Sequence, residues 1–66
     1  MNKLDALQLW RMAADAGYAN SQFSLGRLYF DGECGLVVNK PEAVRWWRLA
    51  AAQGFAEAQR MIKLHT

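Results

Sequence analysis

The feature that most limits what this chain can fold into is its repetition. Residues 2–29 laid over residues 39–66, a shift of 37, give 28 pairs, of which ten are identical. The matched pairs are Asn2/Asn39, Lys3/Lys40, Ala6/Ala43, Trp10/Trp47, Arg11/Arg48, Ala13/Ala50, Ala14/Ala51, Gly17/Gly54, Ala19/Ala56 and Gln22/Gln59. Others are conservative: Asp5 with Glu42, Leu7 with Val44, Met12 with Leu49, Tyr18 with Phe55, Leu25 with Ile62. A period between about 20 and 50 residues marks one supersecondary unit used more than once, each copy burying its apolar face on the next. The division is a single domain over residues 1–66, with unit one at about 2–38 and unit two at about 39–66.

Each unit carries the punctuation of a helix pair. Asn2 three residues before Asp5, and Asn39 three before Glu42, resemble capping boxes, and the acid suits the positive end of the helix. Pro41 sits in a first turn, where a missing N–H costs little. Gly17 and Gly54 end the first helices at points that need a left-handed residue; Tyr18 and Phe55 follow and are expected to fold back over the turn. Second helices are expected from about Ala19 to Phe30 and from about Ala56 to Leu64. Residues 31–40, with Gly32 and Gly35, read as a loop.

On the first helices, Ala6, Trp10, Ala13 and Gly17, and their copies Ala43, Trp47, Ala50 and Gly54, form one stripe at helical spacing. The small residues admit a neighbouring helix and the tryptophans fill the remaining space. Ser21, Leu25, Gly26, Leu28, Tyr29 and Gly32 make the matching face of the second helix. Gly26 in mid-helix costs about 1 kcal/mol relative to alanine, so it is expected to mark a close crossing.

The chemistry-bearing residues are few. One cysteine and one histidine cannot make a disulfide within the chain or a closed zinc site. Cys34, beside Glu33, is expected to be an unreactive thiol, and His65 a solvated terminal residue. No phosphate loop, metal-ligand spacing or nucleophile–base set occurs, so neither enzyme activity nor a cofactor is expected. The net charge of +2 comes without any Lys/Arg run, which argues against nucleic acid. With no apolar stretch that would make a signal peptide or a membrane span, the expectation is a cytoplasmic protein that does not engage membranes.

The ordered set Ala43, Trp46, Trp47, Ala50, Ala51, Gly54, Ala58, with Ala6, Trp10, Ala13, Ala14, Gly17, Leu25, Gly26, Tyr29 and Gly32 in the first unit, resembles the Sel1-like repeat, a relative of the tetratricopeptide repeat. Gly35, Leu36 and Asn39 stand where that family has glycine, valine and aspartate. Ser21 and Leu9 depart from its alanine and aromatic, and Lys63 stands where unit one has Gly26. The resemblance implies an all-α fold of two stacked antiparallel helix pairs, a fragment of an α/α solenoid, and a non-catalytic adaptor that binds another protein. Many small proteins of this resemblance are bacterial. The first helices would line the binding surface, with Gln8, Leu9, Met12, Arg45, Trp46 and Leu49 as contacts. Trp46 is either a hot spot beside Arg45 or core against the neighbouring unit, and the sequence leaves both readings open. Leu4, Leu7 and Met12 would lie on a face without a preceding unit and favour self-association, with a homodimer expected. Lys63 is expected to make the last helix a polar cap. The main rival is a helical-repeat RNA-binding module.

Overall fold

The computed structural model describes residues 3–65, with side chains from Ala6 onward. Four helices follow in order: α1 (Lys3–Asp15), α2 (Ala19–Asp31), α3 (Lys40–Ala52) and α4 (Ala56–His65). The fold is all-α, as the repeat predicts. Among the described residues no helix is long and apolar enough to cross a membrane.

The helix ends follow from the punctuation. Asn39 Oδ1 accepts the Glu42 N–H at 3.2 Å, with Pro41 in the first turn. An N-cap of this kind stabilises a helix by about 1 kcal/mol. The matching Asn2–Asp5 pair lies outside the described residues and side chains. Both first helices close in the same way. Tyr18 N–H donates to Ala13 O and Gly17 N–H to Ala14 O, both at 3.1 Å; 37 residues later Phe55 N–H donates to Ala50 O at 3.2 Å and Gly54 N–H to Ala51 O at 2.9 Å. This is the Schellman closure, and it needs a left-handed residue. Gly17 and Gly54 supply it with φ of 102° and 87°.

Helix α2 is the centre of the molecule. Through Leu25 and Leu28 it packs with Leu7 and Ala14 of α1, and Trp46 joins that cluster from α3. Through Phe23 it packs with Ala43, Trp47 and Ala50 of α3, and with Ala58 of α4. Gly26 marks the close crossing expected of it: a Cβ there would stand 2.5 Å from Trp47 Nε1 and 3.0 Å from Ala43 O. The Trp47 indole is wholly buried and its N–H donates to Phe23 O at 3.2 Å. The tryptophan thus fills the space that the missing side chain leaves, and satisfies its own polar atom on the backbone beside it.

A second tie between the units comes from glutamines. Gln22 Nε2 donates to Ala14 O at 3.1 Å, and Gln59 Nε2 repeats the bond to Ala51 O at 3.1 Å. This explains the Gln22/Gln59 identity: each second helix anchors the carbonyl end of its own first helix. Gln53 Nε2 then donates to Gly17 O at 2.7 Å and to Gln22 Oε1 at 3.0 Å, joining the end of α3 to the α1–α2 turn. Gln22 is buried, so these bonds prevent the cost of an unpaired polar group in the core.

Several positions decide between the sequence readings or depart from them. Trp46, which the sequence leaves between exposed contact and core, is 8% exposed and belongs to the core. Leu7, expected on an uncovered face, is buried, because it shares with Ala14 the side of α1 that meets α2. His65 is exposed but not simply solvated: its ring lies 4.6 Å from that of Phe30 and 6.0 Å from that of Trp47.

Candidate functional site

The two first helices present different surfaces to solvent although their sequences match. On α3 the stripe Ala43, Trp46, Trp47 and Ala50 is buried throughout, because α2 and the α1–α2 pair lie against it. On α1 the same positions are Ala6, Leu9, Trp10 and Ala13. Leu9 and Trp10 are exposed and the alanines only half-buried. Trp10, expected to fill space as Trp47 does, is 40% exposed against 0% for Trp47. It borders a shallow hollow with Ser24, Arg27, Leu28, Asp31 and Glu33. Tyr18 follows the same rule. Phe55 packs on Phe23 of the preceding unit at 5.2 Å between ring centroids, whereas Tyr18 has no such ring partner among the described residues and is 66% exposed.

Each first helix also carries a large apolar residue exposed on its outer side. Met12 and Leu49 occupy equivalent positions, 37 residues apart, and are 68% and 46% exposed. One turn before them stand the exposed Gln8 and Arg45. Arg45 pairs with Glu42 at 3.2 Å, and its guanidinium lies 5.7 Å from the Trp46 ring centroid. The ion pair adds little to stability at this exposure; the ring contact holds the cation over the apolar floor. Of the six contacts expected from sequence, Gln8, Leu9, Met12, Arg45 and Leu49 are exposed. Leu9 stands toward the open end of α1, and Trp46 lies beneath as support. Leu49 and Arg45 also border an open hollow lined by Lys40, Pro41, Val44, Arg48 and His65. Its cations are Lys40, Arg45 and Arg48, over an apolar floor of Pro41, Val44 and Leu49. Leu4, expected to aid self-association, lies outside the described side chains.

The profile of the Sel1 repeat matches residues 2–18 and 19–55, which is most of the chain. The chain belongs to the Sel1-repeat family. Its second match spans α2, the loop and α3, the two helices that cross at Gly26 and Trp47. Sel1 repeats generally mediate protein–protein interaction and are typically non-catalytic. No curated protein and no solved structure matches the chain.

Sequence reasoning placed Leu9 on an exposed surface and missed the exposure of Trp10 and Tyr18 beside it. Leu9, Trp10 and Tyr18 were separated there between a binding surface, the core and a turn. The signal was present in the alignment of the units, since each faces the position that a preceding second helix would take.

Proposed function

We propose that this Sel1-repeat chain is a non-catalytic adaptor that holds a segment of another protein on the surface of its first helices. The observation that carries this is the pair Met12 and Leu49: large apolar residues, exposed at equivalent positions of α1 and α3. Gln8 and Arg45 supply hydrogen-bonding edges, Leu9 adds apolar area at the border, and Trp46 keeps α3 fixed beneath the contact. A stripe of apolar centres with a polar rim is the composition of a protein interface. The three cations around Leu49 favour a segment with apolar residues flanked by acids. The protein acts in the cytoplasm, and its ligand is a protein rather than RNA or a membrane.

Site-specific photocrosslinking in cells tests this. A photoreactive residue at position 12 or 49 captures a common protein partner, whereas one at position 57, on the exposed start of α4, does not. Binding of that partner to purified Leu49→Asp falls about tenfold or more while the helical circular dichroism stays unchanged. Capture of nucleic acid, or equal capture from positions 49 and 57, overturns the proposal. Self-association, the other outcome expected from the sequence, appears in the same experiment as capture of a second copy.

A further inference from the structure

The repeat allows one socket to be compared with its own copy. In unit one, Leu7 of α1 and Leu28 of α2 pack with Trp46 of α3. The positions 37 residues later are Val44 and His65. They line the open hollow of about 700 Å³ that Lys40, Arg45, Arg48 and Leu49 also border. Two exchanges change its character: His65 stands where unit one has Leu28, and Arg45 where it has Gln8. A third difference lies in the arginine that both units share. Arg11 donates to Tyr29 Oη at 3.0 Å. Arg48, its copy, is exposed, and its guanidinium has no hydrogen bond or ion pair among the described residues. Glu42 offsets one charge by pairing with Arg45. Lys40, Arg45 and Arg48 against that one carboxylate leave two net positive charges over a floor of Pro41, Val44 and Leu49.

We infer that this socket takes a phosphorylated aromatic side chain of the bound protein segment, with the ring on the apolar floor and the phosphate among the cations. The inference rests on the adaptor reading above and names the group that its partner presents. The floor accounts for the ring, since the matching socket of unit one takes an indole. The charges account for the phosphate. A phosphate monoester carries about −2 at neutral pH and so balances two net cations, whereas a carboxylate balances one. Guanidinium groups also meet phosphate oxygens with paired N–H bonds. His65 adds a ring N–H donor where unit one has an apolar side chain. Its ring already rests against Phe30 and Trp47, at 4.6 and 6.0 Å between centroids, so less side-chain freedom is lost when it binds. An uncharged ring such as Trp46 would displace water from these cations without replacing its bonds. That separates this socket from the neutral one that joins the two units.

The probe is phosphotyrosine blocked at both ends, as the N-acetyl amide. It is titrated into the 15N-labelled protein while the Arg48 side-chain N–H and the backbone signals of residues 44, 48 and 65 are followed. These signals move and saturate with a Kd below about 1 mM. Inorganic phosphate and the unphosphorylated tyrosine amide each bind at least about tenfold more weakly. Arg48→Gln and His65→Leu, the latter restoring the residue of unit one, each weaken binding about fivefold or more. Arg60→Gln, on the exposed side of α4 outside the hollow, leaves it unchanged, and all three variants keep their helical circular dichroism. The inference is overturned if the signals stay in place up to about 10 mM probe, if inorganic phosphate binds equally well, or if Arg48→Gln and His65→Leu bind as the parent does. Failure of the probe while positions 12 and 49 still capture a protein overturns the socket and leaves the adaptor reading standing. Binding of the probe with no protein captured overturns the adaptor reading, and with it the assignment of the phosphate to a protein segment.

Discussion

Three tryptophans carry the argument at the scale of the residue. Trp47 is buried, bonded and set over a glycine. Replacing it with alanine removes about 3–5 kcal/mol, a large part of the total for so small a domain, so Trp47→Ala is expected to lose its cooperative thermal transition in circular dichroism. Trp46→Ala should also melt at clearly lower temperature, because Trp46 packs with Leu7, Ala14, Leu25 and Leu28. Its indole N–H is buried without an acceptor among the described residues. Trp46→Phe should therefore cost less than Trp47→Phe, which also gives up the bond to Phe23 O. Trp10→Ala should shift the midpoint least of the three. Sequence could not rank these residues. Trp10 and Trp47 share the alanines four before and three after them and the arginine that follows, and Trp46 and Trp47 are adjacent; packing against α2, not local sequence, sets Trp47 apart from Trp10.

At the scale of the element, the helices and their ends were legible because caps, glycines and alanine stripes act locally. The Schellman closures at Gly17 and Gly54, the Asn39 cap and the crossing at Gly26 all lie where the residue types require them. The glutamine ties were not legible, since the acceptors of Gln53 lie more than 30 residues away in sequence. Gly26→Ala gives a sharp test of the crossing. Helix propensity alone would make it stabilising by about 1 kcal/mol. The added Cβ stands against the Trp47 indole and the Ala43 carbonyl, so the substitution should instead destabilise, by about 1–3 kcal/mol, in chemical denaturation. A gain in stability would mean that α2 and α3 can separate without loss. Asn39→Ala should cost about 1 kcal/mol by the same measurement, since it removes the acceptor for Glu42 N–H.

At the scale of the whole molecule, α1 and α4 present unequal outer faces among the described residues. Arg60 and Lys63 make α4 a polar terminus, as Lys63 alone suggests in the sequence. Leu9, Trp10 and Tyr18 leave α1 apolar and uncovered. The double substitution Arg60→Phe with Lys63→Gly would give α4 the face of α2. It should turn a defined species into concentration-dependent head-to-tail oligomers, visible as rising mass in light scattering, because a heterologous contact does not close on itself. Unchanged mass would mean that the α2 pattern is not sufficient for stacking.

The claim on which the rest depends is that two similar units differ in burial because, among the described residues, only the second has a helix packed before it. Hydrogen exchange of the three indole N–H groups, followed by NMR at low protein concentration, tests this most directly. The account predicts slow exchange at Trp47, which is buried and bonded, protection at Trp46, which is buried only, and fast exchange at Trp10. A Trp10 indole as protected as that of Trp47 would contradict it, since the face assigned as open would then already be covered.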